Sequence, residues 1–275
     1  MNLAAISRPS GALAMVAMDQ RESLRQMFEL ALGPNLPGST LVDFKVAVAE
    51  ELSPYASAML LDTHFGMQAM ARLQCPLIVA ADALEYGQPG VVSDTRFDRA
   101  PLRGTNAVAA KLLVVWRRDA QRGRRVAMTR EFVRAAHAAK LLAIVEGVVR
   151  RDDDDLLLEA ARELAACGPD VYKAEVPGFG KASLEETARR CERITKTIEV
   201  PWVVLSAGVA LDDFANAVEA ACRGGASGFL AGRAIWSDAV ASWPAVHDAL
   251  RERAVPRLAH LADIVDRFAR PRVRG

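Results

Sequence analysis

Lysine is scarce in this chain: only six of its 35 basic side chains are Lys, and the rest are Arg. Cysteine is scarce too. Cys75, Cys167, Cys191 and Cys222 are far apart and form no CxxC pair, so buried reduced thiols are expected rather than disulfides or a thiolate metal site. His64, His137, His247 and His260 are scattered, and only His64 follows a strand candidate, so neither metal nor cofactor is expected. Excess charge is missing as well. A formal net charge of +1 argues against a generic binder of nucleic acid or other polyanions. No apolar run reaches membrane-spanning length, and the N-terminus shows no basic segment followed by an apolar stretch and a cleavage site. A cytoplasmic protein without membrane or nucleic-acid partners is therefore expected.

What is present is a composition that can build a large core, 51% hydrophobic and 25% charged, with no low-complexity stretch. Strand-length apolar runs occur at 12–19, 57–62, 77–82, 109–116, 142–149, 170–176, 202–207 and 228–233. They are nearly continuous in apolar character, as parallel strands covered on both faces must be. Helix signals lie between them. Ser183 and Glu186 form a capping box ahead of a stripe of Leu184, Ala188, Cys191, Ile194 and Ile198. Leu41, Phe44, Val48 and Leu52 make another stripe that ends before Pro54, and Phe214, Val218 and Ala221 make a third. Eight such units over residues 1–275 predict one domain, a single (β/α)8 TIM barrel. An open doubly wound sheet is the alternative, but it would usually carry a glycine-rich phosphate loop after an early strand, and none is seen.

Two segments stand outside the pattern. Residues 87–104 read as a polar loop where a helix is missing, and Asp152 to Asp155 read as the solvated, dipole-favoured start of a helix rather than a metal site. The final stripe of Leu258, Leu261, Val265 and Phe268 has a face to cover the barrel or a second subunit, and Arg270 to Gly275 form a basic tail.

Two lysines fall inside core strands, Lys173 in Asp170-Val171-Tyr172-Lys173-Ala174-Glu175-Val176-Pro177 and Lys111 in Ala109-Ala110-Lys111-Leu112-Leu113. A buried ammonium group is costly, and it commonly escapes by becoming a neutral, nucleophilic amine of the kind Schiff-base chemistry uses. A second cation nearby pushes in the same direction. Either lysine could be the nucleophile on these grounds. Glu146, in a third apolar strand, needs a cationic partner, and a purely structural Lys111–Glu146 ion pair is the plain alternative. It leaves Lys173 unexplained.

Barrel active sites lie at the C-terminal ends of the strands. The other polar residues at those ends are Asp19, Gln20, Arg21, Asp62, Asp82, Glu175, Ser206, Gly208, Gly232 and Arg233. Asp62 and Asp82 are read as caps of following helices. Ser206-Ala207-Gly208 and Gly232-Arg233, after the seventh and eighth strands, are placed to hold an anion through amides, a hydroxyl and a guanidinium.

Together these residues resemble the class I (Schiff-base) aldolases that include tagatose-1,6-bisphosphate aldolase and sulfofructosephosphate aldolase. The stretches that carry the resemblance are Ala17-Met18-Asp19-Gln20-Arg21, Leu52-Ser53-Pro54-Tyr55-Ala56-Ser57 with Leu60-Leu61-Asp62, Lys111 to Val114, Asp170 to Pro177, Leu205 to Val209, and Leu230 to Ala234. The resemblance implies Lys173 as the Schiff-base lysine, Lys111 as its neighbouring cation and Glu146 as the acid/base. It implies Asp19, as a further catalytic residue, and Gln20 as contacts to the substrate hydroxyls or the C2 oxygen, and Arg21, Ser206, Gly208, Gly232 and Arg233 as binders of the substrate and its anionic group. The implied reaction is cleavage of a ketose 1-phosphate to dihydroxyacetone phosphate and an aldehyde.

The short chain, the Ser57 to Phe65 region and the stretches Ala80-Ala81-Asp82 and Val145 to Arg150 look closer to the sulfofructosephosphate branch, which makes 6-deoxy-6-sulfofructose 1-phosphate the expected substrate, yielding sulfolactaldehyde in sulfoglycolysis. Gly147 departs from that branch, which has proline there, as does the Asp152–Asp155 run. The tagatose bisphosphate reaction is the alternative within the family. A metal-dependent aldolase and a non-catalytic barrel that binds a sugar phosphate are the rivals outside it. The expected partners are a phosphorylated or sulfonated sugar and, in a homo-oligomer, further copies of the chain.

Overall fold

A computed structural model describes residues 2–88 and 90–270. Among the described residues there are ten strands: β1 Leu13–Met18, β2 Ala58–Leu61, β3 Leu77–Ala80, β4 Asp82–Gln88, β5 Val91–Phe97, β6 Ala109–Val115, β7 Leu142–Val148, β8 Val171–Ala174, β9 Trp202–Val204 and β10 Gly228–Ala231. Eight of them close into a parallel barrel in the order β1-β10-β9-β8-β7-β6-β3-β2. These are the eight expected strands, each trimmed by a residue or more at its ends. The fold is a single (β/α)8 TIM barrel.

Alternation along each strand sorts its residues between two cores. Outward residues such as Val16, Leu61, Val79, Leu112, Val145 and Tyr172 pack against the helices. Inward residues fill the lumen: Leu13, Met15 and Ala17 from β1, Ala58 and Leu60 from β2, Ile78 and Ala80 from β3, Ala109 from β6, Leu142 and Ile144 from β7, and Val171 from β8. Leu3 and Ile6 of an N-terminal turn pack into the same lumen cluster. Each fully buried aliphatic side chain of this kind contributes about 1.5–3 kcal/mol. Two residues further up, the inward series turns polar at Asp19, Asp62, Asp82, Lys111, Glu146 and Lys173. The period of two that fills the lumen thus also gathers the charges at its C-terminal mouth.

Between β3 and β6 the helix of the usual unit is replaced by the antiparallel hairpin β4–β5, followed by a short turn at Ala100–Leu102. The loop expected over 87–104 is therefore half strand. The C-terminal helix Val255–Phe268 buries Leu258, Leu261 and Val265 against β1 and the helices Thr40–Leu52 and Phe214–Arg223. Its apolar face covers the barrel. Residues 271–275 of the basic tail lie outside the described residues. No helix among the described residues is long and apolar enough to cross a membrane.

Candidate active site

Glu146 and Lys173 are direct partners in the β7–β8 register, so both side chains emerge on the lumen side at one height. Lys173 Nζ lies 3.0 Å from Glu146 Oε2. The same carboxylate oxygen is 3.3 Å from Lys111 Nζ, from β6. Lys111 also donates to Asp82 Oδ2 at 2.6 Å and sits 2.7 Å from Asp19 Oδ2. Both lysines are buried, 1% exposed for Lys111 and 4% for Lys173.

The two lysines differ in their company. Burial alone would lower Lys111, but Asp19, Asp82 and Glu146 outweigh it and hold its ammonium protonated far above the ordinary lysine value. Asp19 is the converse. Burial would raise it, yet the charges of Lys111 and Lys173, the Lys111 hydrogen bond and Arg21 hold it well below the usual carboxylate range. The expected mutual neutralisation of the two lysines is thus corrected for Lys111, which three carboxylates keep as a fixed cation. Lys173 shares only Glu146 with it.

Asp82 is not a helix cap. No helix follows β3, and the carboxylate instead accepts from Lys111, from Leu113 N at 3.2 Å and from Arg21 Nη2 at 3.0 Å. The signal was in the sequence, since an acid that precedes a missing helix has nothing to cap. Arg21 donates through Nη1 to the Asp82 carbonyl as well, at 2.8 Å, so its guanidinium is committed to the β3–β4 corner while lining the cavity. Asp62 is not a helix cap either, because the helix Met67–Met70 begins after Gly66 without a side-chain cap. Its Oδ1 accepts from His64 N and Phe65 N of the turn after β2, both at 2.8 Å, while Oδ2 takes the ammonium of Lys45.

A cavity of about 300 Å³ opens over these groups, lined by Asp19, Gln20, Arg21, Asp82, Lys111, Glu146, Lys173, Glu175 and Arg233, with Leu84, Tyr86, Val91 and Val92 of the hairpin over one side. Arg150 lines it too and was not anticipated. It follows β7 in a left-handed conformation (φ +57°), its guanidinium donates to the Val92 carbonyl, and its N–H and that of Val149 donate to Glu175. Burial pushes the Glu175 carboxyl up.

Of the expected anion site, Arg233 and Ala207 line the cavity, whereas Ser206, Gly208 and Gly232 are not among its walls. Gly208 (φ +82°) faces the Phe179 ring, which would meet a Cβ at 2.5 Å, and a Cβ on Gly232 would meet the Ala17 carbonyl at 2.3 Å. Those two glycines serve close approach of backbone. Gln20 lines the cavity with a buried side-chain oxygen that has no hydrogen-bond partner among the described residues.

Of the histidines, His137 meets Asp170 and His247 meets Glu51, each at 2.8 Å. No group of three His, Cys, Asp or Glu side chains suited to a metal ion occurs among the described residues.

A parallel barrel with paired lysines and carboxylates at its C-terminal mouth has the layout of a barrel enzyme's active site, and comparison with known proteins names the class. The model of the DeoC/LacD family aldolases matches residues 13–238, and the chain belongs to that family. It is similar to the tagatose 1,6-diphosphate aldolase of Listeria monocytogenes, 29% identical over 97% of this chain and 91% of the relative. The enzyme of the same name from Staphylococcus aureus is 27% identical over 86% of this chain and 83% of its own.

Among solved structures the fold resembles fructose-bisphosphate aldolase from Plasmodium falciparum (TM-score 0.71, 13% identity, 95% of this chain and 94% of that one). It also resembles an archaeal fructose-1,6-bisphosphate aldolase (TM-score 0.65, 17% identity, 96% and 98%). The protein is an aldolase, hence a lyase.

Proposed function

We propose that residues 1–275 form one class I aldolase domain that cleaves a ketose 1-phosphate through a Schiff base on Lys173, releasing dihydroxyacetone phosphate and an aldehyde. The observation that carries this reading is the asymmetry of the two buried lysines. Lys111 is held charged by three carboxylates, whereas Lys173 meets one, Glu146, at 3.0 Å. An amine nucleophile must give up its proton before it attacks, and Glu146 is placed to take it.

In this mechanism Lys173 Nζ attacks the C2 carbonyl, and the fixed charge of Lys111 stabilises the oxygen of the resulting carbinolamine. Glu146 returns its proton to the carbinolamine hydroxyl, which leaves as water, and this gives an iminium ion and restores the Glu146 carboxylate. Glu146 then removes the C4 hydroxyl proton as the C3–C4 bond breaks, its electron pair passing to the iminium. Protonation of the enamine and hydrolysis release dihydroxyacetone phosphate and restore the amine. Asp19 and Gln20 would hold sugar hydroxyls, Gln20 through the acceptor that has no partner. Arg233, a cavity-lining guanidinium, would bind one anionic end of the sugar, together with the amides near Ser206, Gly208 and Gly232. Arg21 would serve by holding Asp82 in place.

The sugar carries a second anionic group at its far end in either reading of the substrate. The names of the relatives favour tagatose 1,6-bisphosphate. The sequence stretches around Asp82 and Glu146 favour 6-deoxy-6-sulfofructose 1-phosphate. Cleavage rates measured side by side on these two sugars and on fructose 1,6-bisphosphate test the choice. A clear preference for the bisphosphates sinks the sulfosugar. Activity abolished by a chelator and restored by zinc would count against the Schiff base altogether.

A further inference from the structure

Lys45 lies outside the reacting cluster and was not singled out by the sequence, yet its side chain is the most completely enclosed of the cations at the barrel mouth, with 0% exposure. It projects from the helix Thr40–Leu52 and uses its ammonium on three oxygens: the Met18 carbonyl at 2.7 Å, the Gln20 carbonyl at 2.8 Å, and Asp62. Three donors meet three acceptors, so the group is saturated. The two carbonyls are those on either side of Asp19, the carboxylate 2.7 Å from Lys111.

Neither Lys45 nor Asp62 lines the cavity. Asp62 Oδ1 also lies 3.9 Å from Arg21 Nε, and Arg21 is bound to Asp82. Charges of alternating sign therefore run Lys45, Asp62, Arg21, Asp82, Lys111, Glu146, Lys173.

We infer that Lys45 is a positioning residue: by clamping the carbonyls of Met18 and Gln20 against Asp62, it fixes the Asp19 carboxylate on Lys111 and thereby the cation beside the reactive amine. This rests on the Schiff-base reading above. A buried ion pair that served stability alone would be replaceable without changing what a folded molecule does. A clamp is not replaceable in that way, because displacement of a reacting constellation by about 1 Å can cost about a hundredfold in rate.

The experiment compares wild type, Lys45→Met and Asp62→Asn. Each is checked for folding by circular dichroism, and active sites are counted by borohydride trapping with dihydroxyacetone phosphate. With Lys45→Met, kcat per trapped site is expected to fall about ten- to a hundredfold, with KM changed much less because the residue does not touch the cavity. Asp62→Asn keeps an acceptor for the His64 and Phe65 amides and should show the same split more weakly. It also decides the matter if Lys45→Met does not fold. Wild-type kcat per trapped site in Asp62→Asn, or in a folded Lys45→Met, overturns the clamp. Failure of wild type itself to be trapped removes the Schiff base instead, a distinguishable result.

Discussion

Three lysines out of six are buried at the mouth of this barrel, and their surroundings give each a different part. Lys111 is the cation shared by three carboxylates. Lys111→Met leaves Asp19, Asp82 and Glu146 crowded without their cation, so the variant should lose about 3–5 kcal/mol of stability in chemical denaturation, besides its activity. Lys173→Met removes the proposed nucleophile but strips only one carboxylate of a partner. It should abolish cleavage, about a thousandfold or more, while melting closer to wild type than Lys111→Met does. The reverse order of stabilities would contradict the geometry.

At this scale the sequence marked Lys111, Lys173 and Glu146 through their apolar neighbours, because a charge in a continuous strand has nowhere to go but the lumen. Lys45 escaped notice although it sits four residues after Leu41 and three before Val48, squarely on an apolar helical stripe. Asp82 was read as a cap although residues 87–104 showed no helix for it to cap.

The hairpin β4–β5 is the element that sequence periodicity served worst. Its exposed residues mix polar Glu85, Gln88 and Arg96 with Tyr86 and Val91, and its tip is glycine-rich, so neither alternation nor a helical stripe announced it. It is held over the cavity by side-chain hydrogen bonds to and from several other segments. Thr95 Oγ1 donates to the Leu113 carbonyl at 2.7 Å, Arg117 to the Ser93 carbonyl at 2.7 Å, and Arg150 to that of Val92. The buried guanidinium of Arg125 joins Asp94 at 2.8 Å to Asp119 at 2.6 Å. Burial pushes the Asp94 carboxyl up, but the hydrogen bonds from Arg125 and Thr95 N–H and the charges of Arg125 and Arg117 hold it below its ordinary value.

A carboxyl with a lowered folded-state value stabilises the fold above the unfolded value, about pH 4, and that stabilisation is lost as pH falls through the folded one. Asp94→Asn should therefore cost about 1–2 kcal/mol at pH 7 and flatten the acid limb of stability below pH about 4, measured by urea unfolding across pH. An unchanged acid limb would show that the latch contributes nothing.

The Asp152–Asp155 run was legible as a helix start, and Asp153 does cap the helix Asp154–Ala165 through Leu156 N at 2.9 Å. Its pairing with Arg190 and Arg193 on the next helix was not, because contacts between helices leave no mark on local periodicity.

Over the whole molecule, the pattern of eight nearly continuous apolar runs with helix signals between them was enough to give the barrel and the end at which the site lies. It could not rank the two lysines, since that depends on which carboxylates the barrel's register brings around each. The substrate stayed out of reach for a related reason. Arg150, Arg233 and the hairpin line the cavity together, and their convergence is a property of loops. The most direct measurement is borohydride reduction of the wild-type protein with dihydroxyacetone phosphate, followed by peptide mass spectrometry. A single reduced adduct on the peptide bearing Lys173 is expected. An adduct on the Lys111 peptide, or none at all, would contradict the assignment of Lys173 as the Schiff-base lysine.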